Sequence, residues 1–246
     1  MEVKKVLKAS IAGLSAMAAF VALNELLSSG SSSSPKPELA KRLPLGGPIL
    51  IAPASGVITG EETQCVLDRL HDATGPVDLL LHAYGGYCAA VDPIVLALKN
   101  YRGGKIRAHV PYFAFSGATM IALGAHTIHM GDGAVLGPVD PQLGGCAAAD
   151  LVPLAKVKRP ETIDDLTHLL VMRAAKAYTE TRTLVATLVS TQEALDRLTS
   201  GLTSHGHPIT FGEASALQLP VWEGVPETYY KLLRGRRKKR ELRLWL

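Results

Sequence analysis

Between residues 47 and 136, short apolar runs alternate with segments whose apolar residues recur at helical spacing, and Gly or Pro marks most of the joins. Residues 47–53, 77–83, 105–111, 127–130 and 134–136 read as strands. Residues 61–73, 88–101 and 117–124 read as the helices between them. Such alternation predicts an α/β fold, with a parallel sheet, helices on both faces and right-handed connections. Further on, residues 163–189 read as one long helix, opening after Pro160 with Asp164 and Asp165 in its first turn. Residues 213–217 read as a short helix.

A chain of 246 residues is sized for one compact domain with terminal appendages. Hydrophobic residues make up 47% and aromatics only 5%, so aliphatic packing must dominate the core. The ends differ from the body. Lys4, Lys5 and Lys8 precede an apolar run, residues 9–27, whose central part is short for a bilayer span of ~20 residues. Residues 1–27 read as a signal anchor or signal peptide, with the basic flank keeping the N-terminus inside. The expected location is therefore the membrane, through a single-pass anchor, or secretion if the segment is cleaved. Residues 28–44, rich in Ser and then Pro, read as a flexible linker to a domain at 45–230. From Lys231 on, eight Lys or Arg accompany one acidic residue, whereas residues 9–230 hold fifteen basic and twenty acidic ones. The formal charge of +4 thus arises at the two ends, and residues 231–246 form a basic tail. Without interleaved aromatics such a tail does not argue for nucleic acid.

The chemistry concentrates in Ala114-Phe115-Ser116-Gly117-Ala118-Thr119-Met120, a serine among small and apolar residues directly after a strand. One reading makes Ser116 a helix N-cap; the other makes it a nucleophile on a strand-to-helix turn. Two neighbours favour the second. The strand at 77–83 ends in Tyr84-Gly85-Gly86, where paired glycines let backbone N–H groups face a ligand. A later strand runs into Leu136-Gly137-Pro138-Val139-Asp140-Pro141-Gln142. This order of motifs, with His205-Gly206-His207-Pro208-Ile209-Thr210, resembles the Clp protease/crotonase superfold. It is similar above all to the branch of signal peptide peptidase A and the serine dehydrogenase proteinase family, over residues 48–225.

The resemblance implies a ββα superhelix and a serine endopeptidase that works as a homo-oligomer on peptides or membrane proteins. Ser116 would attack, with Gly85, Gly86 and Gly117 as oxyanion donors. Two bases are open. Clp protease subunits carry a histidine where Asp140 stands and an acidic group near residues 204–208. Here that arrangement would be exchanged, with His205 as base oriented by Asp140. Gly206 departs from the pattern, since related sequences carry an acidic residue there. The signal peptide peptidase branch instead uses a lysine placed before a helix, a position matched by Lys156 and Lys158. Lys158 is preferred because the lysine branch fits an anchored chain.

Other readings stay open: a crotonase-like acyl-CoA enzyme using the same oxyanion hole, or a non-catalytic scaffold. Cys65, Cys88 and Cys146 are scattered and read as small buried hydrophobes. His82 reads as a strand-end residue or a substrate contact, and His126 and His129 as structural. No metal-ligand spacing and no nucleotide-binding motif occurs, so no metal and no cofactor is expected.

Overall fold

The computed structural model describes residues 46–157, 159 and 162–244. The chain runs β1 (Ile49–Ile51), β2 (Val57–Ile58), α1 (Gly60–Asp72), β3 (Val77–Leu81), β4 (Gly85–Gly86), α2 (Cys88–Asn100), β5 (Ile106–Val110) and β6 (Phe113–Ala114). It continues through α3 (Gly117–Leu123), β7 (Thr127–Met130), β8 (Val135–Leu136), β9 (Gln142–Leu143), β10 (Cys146–Ala147), α4 (Ala148–Leu151) and α5 (Leu154–Val157). The last elements are α6 (Asp165–Ala186), α7 (Gln192–Thr199), β11 (Ile209–Thr210), α8 (Phe211–Ala216), β12 (Val221–Glu223) and α9 (Glu227–Leu244). The described residues divide into two units, 46–140 with 178–244 and those between 141 and 177. The first holds the sheets described next. In the second, β9 and β10 form a small antiparallel hairpin that leads into α4.

The main sheet is parallel throughout, in the order β1-β3-β5-β7-β12. Each long strand of the first three is followed by a two-residue strand and then a helix, which is the ββα repeat expected from the resemblance. The strand order never reverses, so right-handed crossovers send α1, α2 and α3 to one side. There Val66 and Leu70 of α1, Ile94, Val95 and Leu98 of α2 and Ile121 of α3 close over Ile49, Ile51, Leu79, Leu81, Ala108 and Val110 in the principal core. The expectation of helices on both faces is met unevenly. The other face is covered by α9, whose Tyr229, Leu232 and Leu233 pack with Leu50 and Leu80. Residues 231–244, read from sequence as a basic tail, thus continue a helix that begins inside the domain.

The N-terminal segment 1–27 and the linker 28–44 lie outside the described residues. Among the described residues no helix is long and apolar enough to cross a membrane.

The α9 face carries a polar cluster. Arg107 donates to both carboxylate oxygens of Asp78, at 2.6 and 2.9 Å, and His109 Nε2 lies 3.0 Å from the same carboxylate. The His109 ring stacks on His129 and meets Tyr229 edge-on. Burial holds His109, His129 and also His82 below the usual imidazole range; at His109 it outweighs the opposing pull of Asp78. At Asp78 burial pushes upward, but the hydrogen bonds from Arg107 and His109 win and keep the carboxyl low. Burial and the nearby Asp78 push the Tyr229 hydroxyl up to about 12, so it stays protonated throughout. All three imidazoles bind protons less readily in the folded chain than in the unfolded one. Their contribution is therefore intact above the unfolded value of about 6.5 and is lost as pH falls through the lower folded values. Asp78 adds a further loss below about pH 4. The melting temperature is expected to fall between pH 7 and pH 5, with a shallower slope in His109→Gln. A flat or rising profile in thermal scans would contradict this assignment.

Candidate active site

A second layer of short strands gathers motifs that are far apart in sequence. Gly85 and Gly86 of β4 pair in parallel with Val57 and Ile58 of β2. Ala83, just before β4, bridges in parallel to Ala114 at the end of β6. That strand in turn pairs in parallel with β8, Ala114 opposite Leu136. Counting on two residues from the Ala83 and Ala114 bridge brings Gly85 beside Ser116. On its other side β8 pairs antiparallel with β11, Leu136 opposite Ile209. Counting four residues forward from Leu136 and four back from Ile209 brings Asp140 opposite His205. There His205 Nδ1 and Asp140 Oδ1 are 2.9 Å apart. Asp140 is 1% exposed and the His205 side chain 31%.

Ser116 has φ 52° and ψ −122°, a backbone conformation rarely adopted by a residue with a Cβ. Holding it there costs roughly 1–3 kcal/mol. Its side chain makes no capping hydrogen bond to α3, so the N-cap reading does not explain the residue. The surrounding bonds over-determine the turn. Phe115 N–H donates to Ala83 O at 3.1 Å, and Met120 N–H donates to Ser116 O at 3.1 Å. The buried Thr119 hydroxyl donates to Ala114 O at 2.7 Å and accepts from Gly137 N–H at 3.1 Å. One side chain thus ties the strand before Ser116 to the Gly-Pro turn that leads to Asp140. Thr119 was in plain view in the motif, three residues after Ser116, yet only tertiary structure reveals this role.

The glycines flanking the serine are required by contact. A Cβ on Gly85 (φ +120°) would stand 2.8 Å from Ser116 Cβ and 3.1 Å from its Oγ. On Gly86 it would meet Ile58 O at 2.3 Å, and on Gly117 it would meet Val91 Cγ2 at 2.6 Å. The Gly117 N–H opens α3 and can have no partner within that helix. Gly85→Ala is expected to slow any Ser116 chemistry at least ~100-fold, about the effect of losing one oxyanion donor. The rate of Ser116 modification, measured beside a melting curve, checks it; a near-wild-type rate would show that the close approach is unimportant.

Of the expected site residues, Ser116, Gly85, Gly86 and Gly117 come together on this turn, and Asp140 and His205 come together at 2.9 Å. Lys158 lies outside the described residues, while Lys156 falls within α5. His207 is exposed in the turn that precedes β11, where its N–H donates to Ser204 O. His126 Nδ1 accepts from Ile106 N–H, a structural role as expected. His82 packs its ring on Phe113 at 4.2 Å, and its buried Nδ1 has no hydrogen-bond partner among the described residues. A cavity of about 500 Å³ exists elsewhere, lined by Asp78, Arg107, His109, His129 and Tyr229 among others, and none of its lining residues belongs to the Ser116 turn.

The parallel sheet and its sequential ββα repeats make a mixed α/β fold of the ClpP-like kind. The chain belongs to the ClpP-like SDH-type serine proteinase family, whose profile matches residues 49–239. Two proteins of Methanocaldococcus jannaschii, both described only as uncharacterised, are similar. MJ0137 is 37% identical over 190 residues, covering 74% of this chain, and MJ1495 is 35% identical over 185 residues, covering 72%. The chain spans 66% and 63% of their lengths, a little under two thirds. Among solved structures, ClpP1 from Listeria monocytogenes aligns with TM-score 0.48 and 14% identity over 68% of this chain and 88% of that one. An alanine mutant of 1510-N, a membrane-bound stomatin-specific protease, aligns with TM-score 0.47 and 19% identity over 70% and 77%.

Proposed function

We propose that this protein is a serine endopeptidase in which Ser116 is the nucleophile and the His205–Asp140 pair its base. The observation that carries the proposal is the conformation of Ser116, held in positive φ against Gly85 with no capping role to explain it. A serine hydroxyl is a weak nucleophile until a base takes its proton. In this reading Asp140, 2.9 Å from His205 Nδ1, orients the imidazole, and Nε2 takes the serine proton. The buried carboxylate fixes the tautomer and stabilises the imidazolium that forms.

In the reaction, Ser116 Oγ bonds to the peptide carbonyl carbon and its proton passes to His205 Nε2. The oxyanion is met by N–H groups of Gly85 or Gly86 and of Gly117, each worth about 3 kcal/mol in the transition state. As the tetrahedral intermediate collapses, the C–N bond breaks and the imidazolium proton goes to the leaving amine. Water, deprotonated by the same imidazole, then splits the acyl-enzyme and restores the serine. Because β4 is paired with β2 along one edge, the substrate enters from the edge facing Ser116.

The reading extends to a protein anchored at the membrane by residues 1–27, acting as a homo-oligomer on peptide or membrane-protein substrates. Purified full-length protein is expected to hydrolyse quenched fluorescent peptides and to be stopped by a fluorophosphonate that adds to Ser116. A folded, oligomeric sample showing neither hydrolysis nor adduct would move the protein to the scaffold reading.

A further inference from the structure

The residues just before each half of the Ser116 site are aromatic, and they form one continuous surface. Tyr84, next to Gly85, stacks on Phe113 with ring centroids 4.6 Å apart and planes 25° from parallel. Phe115, next to Ser116, lies 6.3 Å from Tyr84 and 5.7 Å from Phe113. His82 also packs against Phe113, with ring centroids 4.2 Å apart. In a chain with so few aromatics this concentration is a local feature, not general core packing.

Tyr84 is 62% exposed yet fixed in place. A Cβ on Gly56 would come within 2.7 Å of its Cδ2, so the ring lies directly on that backbone. Phe115 rests on Gly137 in the same way, where a Cβ would meet Cδ1 at 2.2 Å. A large flat ring left in water forgoes the gain from burial, and one already immobilised loses little entropy when something covers it. Each is what a preformed binding platform requires.

We propose that Tyr84, stacked on Phe113 and flanked by Phe115, is the floor of a subsite selecting an aromatic side chain on the substrate residue that supplies the scissile carbonyl. The inference rests on the Ser116 reading. Position argues for a substrate side chain as the occupant. Gly85 is the proposed partner of the carbonyl oxygen, and Tyr84 is its chain neighbour, about 3.8 Å away along the backbone. A side chain beside that carbonyl therefore falls within reach of the ring. Ring chemistry argues for an aromatic one, because offset or edge-on pairing adds about 0.5–1.5 kcal/mol beyond area burial, and an aliphatic group gains only the area.

The test uses full-length protein and two diphenyl phosphonates that differ only in a benzyl or an isopropyl side chain beside phosphorus. Labelling of Ser116 is followed by mass spectrometry. The benzyl probe is expected to label ~3- to 10-fold faster than the isopropyl probe. That preference should persist in Tyr84→Phe and collapse in Tyr84→Ala. Equal rates in the wild type, or a preference unchanged in Tyr84→Ala, overturns the subsite while leaving the nucleophile standing. Labelling by neither probe removes the Ser116 reading and this one with it. A change of oligomeric state in Tyr84→Ala by light scattering assigns the aromatic surface to contact between copies, and also overturns the subsite.

Discussion

Ser116→Ala is expected to cut peptide hydrolysis by about 10⁴- to 10⁶-fold, the scale of losing a nucleophile from a unit of serine and base. Residual turnover would come from the glycine N–H groups and binding alone. Stability separates this outcome from misfolding. The substitution removes one oxygen that makes no capping bond and leaves the backbone at φ 52°, so the fold should persist. Ser116→Gly should go further. It also abolishes turnover, but it relieves a conformation that costs roughly 1–3 kcal/mol and should therefore melt higher than wild type. An inactive variant more stable than its parent is the signature of strain kept for function. If Ser116→Gly melts lower, the conformation is not strained and the argument from it fails.

Removing the His205–Asp140 pair should be nearly as damaging. Asp140→Asn keeps the shape of a side chain only 1% exposed but lets the amide select the wrong imidazole tautomer, with an expected loss of ~10⁴-fold in kcat. His205→Ala removes the base itself and should cost at least as much. The two changes act on one device, so the double variant should be no worse than His205→Ala alone. Kinetics on the three variants measure this directly. Independent, multiplying losses would mean that Asp140 acts otherwise than through His205.

Much of the fold was legible in the sequence because its long elements carry strong periodicity. The strand at 127–130 matches β7 at both ends, and the helix expected at 61–73 matches α1 to within a residue. The two-residue strands β2, β4, β6 and β11 were not legible, since alternation cannot be recognised over so short a run. Nor was the role of α9, because its polar stretch reads as a solvated tail until Leu232 and Leu233 are seen against the sheet.

Those short strands are also why the candidate site was only half legible. Ser116 and the glycines sit in local motifs that reveal themselves. The bond between Asp140 and His205 spans 65 residues and follows from the register of β8 against β11, which no local pattern encodes. Without that register, His205 and Lys158 stood as rivals. The described residues supply a positioned partner for His205, and Lys158 lies outside them.

The most direct measurement is the rate of fluorophosphonate labelling at Ser116 in full-length wild type, His205→Ala and Lys158→Ala, each with a melting curve. Activation by the His205–Asp140 pair predicts rapid labelling in the wild type and in Lys158→Ala, and labelling reduced at least ~100-fold in His205→Ala. Wild-type labelling in His205→Ala together with its loss in Lys158→Ala would contradict the account and make the lysine the base.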